Sequence, residues 1–215
     1  MTKIAPSILA ADLSKINNEV INVDKAGAEY IHIDVMDGHY VPNISFGPNI
    51  VETLRPLTKK ILDVHLMITP VMPYIKAFID AGADIISFHP EADDNSKTII
   101  ETIKSANCKA GIAIHPNVEI EAIQEFLNDI DLVVVMTVVP GFGGQKFLDT
   151  QLSKINQLHN IRKSTKAKFE IEIDGGINEQ TSKQCIANGA DVLVAGSYIY
   201  EGDESEYENL INSIR

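Results

Sequence analysis

Cysteine is scarce in this chain: two residues in 215, Cys108 and Cys185. Their number and spacing offer no disulfide framework and no metal-ligand pair, so they read as ordinary thiols in a reducing compartment. Basic charge is scarce too. With 18 Lys and Arg against 30 Asp and Glu, the formal net charge is −12, the reverse of what phosphate-rich nucleic acid demands. No nucleic-acid partner is expected, and any phosphate must be held by local means. No apolar run approaches the ~20 residues that cross a bilayer; the longest, residues 132–139, contains Thr137, so no membrane partner is expected. The opening MTKIAPSILA runs into polar Asp12 without the apolar core and cleavage pattern of a secretory signal, and the expected location is cytoplasmic. Linkers rich in Pro, Gly or Ser and low-complexity tracts are missing as well, so residues 1–215 read as a single domain.

What is present is a repeat. AGAEYIHID from Ala26, AGADIISFH from Ala81 and NGADVLVAG from Asn188 each place a glycine at the close of a helical pattern and then an apolar strand. Their spacings approximate two and four multiples of about 27 residues, which is one eighth of the chain. Strands are predicted at 4–8, 30–35, 61–67, 84–89, 110–115, 132–138, 169–174 and 192–195, with helical patterns between them. Leu13, Ile16, Val20 and Val23 recur at helical spacing, Thr69-Pro70 reads as a helix start, and Asp203 with Glu206 reads as the cap of a closing amphipathic helix. Strict strand and helix alternation over eight units predicts an α/β fold, a closed (β/α)8 TIM barrel whose active site lies at the C-terminal strand ends.

Polar residues gather at those ends. In IHIDVMDGHY, His32, Asp34 and Met36 share one face of a strand while Ile31, Ile33 and Val35 take the other. LDVHLM puts His65 at the end of the third strand and FEIEIDGG puts Asp174 at the tip of the seventh. Two imidazoles and two carboxylates on one layer suit one divalent ion of the Zn, Fe(II), Mn or Co type, among which the residues do not choose. A glycine-rich loop, VVPGFGGQKF with Gly141, Gly143 and Gly144, follows the sixth strand; Gly175 and Gly176 follow the seventh, Gly196 and Ser197 the eighth. Converging backbone N–H groups there can cradle a phosphate without a basic cluster. His89 at the fourth strand end reads as a scaffold histidine, His39 and His159 as exposed, and Glu172 as an inward carboxyl one layer below Asp174.

Together APSILAADLS, HIDVMDGHYVPNISFGP, DVHLM, VVPGFGGQKF, IDGGI and VAGS span nearly the whole chain, which resembles the ribulose-phosphate 3-epimerase family, a ribulose-phosphate-binding barrel. The resemblance implies His32, Asp34, His65 and Asp174 as metal ligands, with Asp34 and Asp174 also the catalytic acid/base pair. It implies substrate contacts from Ser7, His65, Gly141, Phe142, Gly143, Gly144, Gly175, Gly176, Gly196 and Ser197, and methionines 36, 67 and 136 around the reacting carbons. The implied reaction interconverts D-ribulose 5-phosphate and D-xylulose 5-phosphate at C3; the implied partners are that phosphosugar and further copies of the chain in a homo-oligomer. A 3-epimerase of a six-carbon ketose phosphate such as allulose 6-phosphate is the neighbouring alternative, and a non-catalytic phosphosugar-binding barrel, which would have no need of the Asp34 and Asp174 pair, the remote one. Barrels that decarboxylate orotidylate carry an Asp-x-Lys pattern, and HIDVMDG has no lysine. Three positions depart from the family pattern: His115 stands where Asn is usual, Asn95 where His is usual and Tyr200 where Phe is usual.

Overall fold

In the computed structural model, which describes all 215 residues, eight strands run parallel: β1 (Lys3–Pro6), β2 (Tyr30–Met36), β3 (Ile61–Met67), β4 (Ile85–Phe88), β5 (Lys109–Ile114), β6 (Leu132–Met136), β7 (Glu170–Asp174) and β8 (Val192–Ala195). From β2 to β8 each pairs with the next strand in sequence, and β8 returns to β1. The remaining seam, between β1 and β2, is closed by Glu29 N–H donating to the Ile4 carbonyl (3.1 Å) and by a bridge between Ser7 and His32. This is the expected (β/α)8 barrel.

Period-two geometry sorts the side chains. Ile31, Ile33, Val35, Val133 and Val135 point outward into the main core beneath the helices, whereas Leu132, Val134, Met136, Val192 and Val194 fill the barrel interior. Each such fully buried branched side chain contributes about 1.5–3 kcal/mol. The outer layer comprises α1 (Ile16–Lys25), α2 (Pro48–Leu54), α3 (Met72–Ala81), α4 (Ser96–Ser105), α5 (Leu152–Thr165), α6 (Glu179–Ala187), α7 (Ser197–Tyr200) and α8 (Tyr207–Ser213). Gly27, Gly82 and Gly189 of the repeat all have positive φ (95°, 102° and 105°), as helix-terminating glycines require.

The repeat has a purpose at the N-terminal mouth. The carboxylate that follows each repeated glycine accepts the backbone N–H of the second residue of the preceding strand: Glu29 from Ile4 (2.9 Å), Asp84 from Leu62 (2.8 Å) and Asp191 from Ile171 (2.8 Å). A fourth copy, Asp131 with Ala110 N–H (3.0 Å), lacks the glycine signature. Each carboxylate also meets a cation, respectively Arg215, Arg55, Arg162 and Lys104.

Several local expectations are corrected. Leu13 belongs to a 3₁₀ turn (Leu13–Lys15) capped by Asp12 and is 56% exposed, so the apolar face of the first helix begins at Ile16. Thr69-Pro70 lies before α3, because a residue preceding proline is pushed out of the helical region; α3 starts at Met72, with Pro73 in its first turn. Its first N–H groups, Val71 and Met72, are capped from another loop by Asp93 (3.0 Å each). Between β5 and β6 the connection is a 3₁₀ run, Ile120–Phe126, rather than an α-helix. Asp203 precedes a 3₁₀ turn (Glu204–Glu206) and makes no side-chain cap, though Tyr207, Ile211 and Ile214 do bury one face of α8.

Candidate active site

The register of the barrel sets the site. Asp34 on β2 is the lateral partner of His65 on β3, and Met136 on β6 is that of Asp174 on β7. His32, Asp34, His65 and Asp174 are all buried and bring one potential ligand atom each to within 4.8 Å of the others. His32 Nε2 lies 3.4 Å from Asp34 Oδ1 and 3.8 Å from Asp174 Oδ2; His65 Nδ1 lies 3.6 Å and 3.4 Å from the same two oxygens. Those separations are at or beyond the limit of a hydrogen bond, and both nitrogens have no hydrogen-bond partner. A buried polar atom left unpartnered costs about 1–3 kcal/mol. A tetrahedral ion with ligand bonds of about 2.0–2.1 Å has ligand edges of roughly 3.3–3.4 Å. The donor set, its spacing and its two bare nitrogens therefore fit a divalent cation.

Further side chains hold these four. His32 Nδ1 sits 2.7 Å from Asp63 Oδ2, an outer partner that places the ring proton on Nδ1 and turns Nε2 toward the site. Glu172 is fully buried below Asp174, as expected, with Oε1 3.6 Å from His32 Nδ1. Its burial and the adjacent Asp63 push its carboxyl well above the ordinary range. Ser7 Oγ donates to Asp34 Oδ2 (2.6 Å), and Ser45 Oγ donates to the Asp34 carbonyl. Burial works to raise the Asp34 carboxyl, but the imidazoles of His32 and His65 outweigh it and hold Asp34 well below the carboxylate range. Burial likewise works to lower both imidazoles; Asp34 with Asp63 raises His32, and Asp174 with Asp34 raises His65. Thr137 N–H donates to the Asp174 carbonyl (2.8 Å) and its Oγ to that of Gly175 (2.6 Å), fixing the tip of β7.

Above this layer a cleft opens at the C-terminal mouth. Ser7, Asp34, Gly141, Phe142, Gly143, Gly144, Asp174, Gly175, Gly176, Gly196 and Ser197 line it, together with Met36, Met67 and Met136. His32 and His65 are completely buried and lie beneath the floor, so His65 does not reach the cleft surface. No lysine or arginine lines the cleft, and Lys146 is exposed outside it. At Gly176, φ is +67° and a Cβ would stand 2.7 Å from the Phe147 nitrogen, so the turn admits only glycine. Asn43 Nδ2 donates to the Gly141 carbonyl (2.7 Å), joining the loop after β2 to the glycine loop after β6. His39 is exposed and His159 half-buried; His115 and Asn95 lie outside the cleft lining.

Asp63, Ser45 and Thr137 escaped the sequence reading. Asp63 carried a signal, since two residues before His65 it shares that histidine's strand face. Ser45 and Thr137 carried none, because their partners are backbone atoms.

A model of the ribulose-phosphate 3-epimerase family matches residues 3–200. The chain belongs to this family. A ribulose-phosphate 3-epimerase of Bacillus subtilis is 48% identical over 100% of this chain and 99% of its own length. One from Rhodobacter capsulatus is 45% identical over 93% of this chain and 86% of its own. A chloroplastic ribulose-5-phosphate-3-epimerase of Arabidopsis thaliana is 41% identical over 99% and 75%. Among solved structures, KGPDC from Streptococcus mutans superposes with a TM-score of 0.74 over 100% of this chain and 95% of that one. At 17% identity that likeness concerns the barrel alone. The chain is an enzyme of the isomerase class, and no helix in it is long and apolar enough to cross a membrane.

Proposed function

We propose that this chain, a single barrel domain over residues 1–215, interconverts D-ribulose 5-phosphate and D-xylulose 5-phosphate by inverting C3. The names of its relatives supply the substrate. The observation that carries the chemistry is the pair Asp34 and Asp174, which arrive from different sides of the barrel, line one cleft and stand over two bare imidazole nitrogens.

Inversion next to a carbonyl needs a proton removed from one face and another delivered to the opposite face. Asp34, held ionised by the imidazoles beneath it, takes the C3 proton. Its Oδ2 is steadied by Ser7, so the accepting oxygen is fixed rather than free to rotate. Asp174 acts as the acid and delivers a proton to the opposite face of the planar enediolate, and the reverse reaction exchanges the two roles. A divalent ion held by His32, Asp34, His65 and Asp174 would supply Lewis-acid stabilisation of the negative charge developing on the sugar oxygens. Met36, Met67 and Met136 present polarizable thioethers without an exchangeable proton, which shields the reacting carbon from stray protonation. The phosphate is received by backbone N–H groups of the glycine loops, since no cation lines the cleft.

Single turnover in deuterated water tests the two-carboxylate reading. Product should carry solvent deuterium at C3. Asp174→Asn should lose about 10²–10⁴-fold in turnover while keeping the fold, with metal content measured on the same samples. Near-normal turnover of metal-bearing Asp174→Asn, or wild-type product free of deuterium, refutes it.

A further inference from the structure

His89 takes no part in the chemistry above, yet it is completely buried and its Nε2 stands 3.1 Å from the Nε2 of His65. Two imidazole nitrogens at that distance need one proton between them: one donates and the other accepts. The outer side of His89 decides which. Its Nδ1 has no hydrogen-bond partner but lies 3.6 Å from Glu91 Oε1, and the charge of a carboxylate at that distance favours an N–H over a lone pair. Tyr40 holds this arrangement from the loop after β2: its hydroxyl donates to the same Glu91 oxygen (2.8 Å), and its ring lies against His89 with centroids 4.8 Å apart.

We propose that His89, oriented by Glu91 and Tyr40, is a positioning residue that fixes the His65 proton on Nε2 and so keeps His65 Nδ1 bare toward Asp34 and Asp174. The order of protons follows from the geometry. The Glu91 carboxylate favours the His89 proton on Nδ1 by its charge rather than by a hydrogen bond, His89 Nε2 receives the His65 Nε2–H, and the lone pair of His65 Nδ1 is left for a cation. His65 thereby acquires an outer partner as His32 does from Asp63, with a neutral ring in place of a carboxylate. The inference rests on the proposed metal site for its consequence but not for its structure.

Two measurements test it. Nitrogen-15 NMR of metal-free protein should find His89 as the Nδ1–H tautomer with a bare Nε2; an Nε2–H tautomer overturns the proposal whether or not the protein binds metal. Zinc affinity, read by competition with a chromophoric chelator, should fall about 10–100-fold in His89→Phe, which keeps the ring contact with Tyr40 but offers His65 no acceptor. His89→Gln, whose Oε1 can accept from His65, should stay within a few-fold of wild type, and Glu91→Gln should fall between the two. Wild-type affinity in a folded His89→Phe overturns the proposal. If His89→Phe fails to fold, the Glu91→Gln affinity and the tautomer decide. A wild-type protein that takes up no zinc while His89 shows the Nδ1–H form would refute the metal reading and leave the positioning role standing.

Discussion

Gly144→Ala and Gly176→Ala form a matched pair that separates two physical costs. Both residues hold nearly the same left-handed backbone, φ +70° and +67°, so each alanine carries the same conformational penalty of roughly 1–2 kcal/mol. They differ in space. A Cβ at Gly144 meets nothing within 4 Å, whereas at Gly176 it would meet the nitrogen, Cα and Cβ of Phe147 at 2.7, 2.8 and 2.9 Å. Backbone cannot swing away as a flexible side chain can, so overpacking adds about 1–3 kcal/mol at Gly176 alone. The totals are about 1–2 kcal/mol for Gly144→Ala and about 2–5 kcal/mol for Gly176→Ala. For a chain of this length each kcal/mol lowers Tm by roughly 2–4 °C, giving losses of roughly 2–8 °C and 4–20 °C. Thermal unfolding followed by circular dichroism, with urea midpoints as a second probe, reads both. Equal losses, or a larger loss at Gly144, would refute the packing argument and with it the account of why the loop after β7 is built on glycine.

Phosphate recognition by backbone predicts that Gly144→Val raises KM for the phosphosugar at least about tenfold by filling the anion's approach. Lys146→Ala should change KM only a few-fold; steady-state kinetics on both variants checks this, and a larger effect at the lysine would reverse the assignment. Exhaustive chelation should abolish turnover, and a first-row divalent ion should restore it; a fully active preparation with no metal by elemental analysis contradicts the ligand set. Asp93→Ala should destabilise by about 0.5–2 kcal/mol, because it uncaps α3. Burial works to raise the Asp93 carboxyl, but the N–H groups of Met72 and Asn95 prevail and lower it. Its stabilisation is thus present above the ordinary carboxylate pKa and is lost as pH falls through the depressed one. Urea midpoints of wild type and variant should converge on acidification; a constant gap from about pH 7 down to about pH 2 would argue against the cap.

Much of this molecule is legible in its sequence. The strands announced themselves because a barrel strand combines apolar residues with a fixed period, and His32, Asp34, His65 and Asp174 stood out because each interrupts that pattern at a strand end. Legibility failed where a partner comes from elsewhere in the chain. Asp93 caps a helix that begins 21 positions before it, and nothing near Thr69-Pro70 reveals that. His89 looked like scaffold because its role depends on which nitrogen faces His65, a matter of ring orientation that no spacing encodes. Leu13 fitted the helical period yet lies on a 3₁₀ turn, where that period does not apply.

The four carboxylates at the N-terminal mouth divide the barrel in a way that strand numbering conceals. Each fastens an odd strand to the even strand that follows it, so the rivets mark off quarters, β1–β2, β3–β4, β5–β6 and β7–β8, which the strand ladders join to one another, most extensively at β2–β3. The first rivet takes its cation from Arg215, whose guanidinium also lies 3.9 Å from the Met1 sulfur. At the opposite mouth the ligand set ignores these boundaries: His32 and Asp34 come from the first quarter, His65 from the second and Asp174 from the fourth. No quarter can hold an ion by itself. A cation seated there would add a tie across quarters otherwise joined by the strand ladders, so its binding energy would stabilise the barrel as well as serve the sugar.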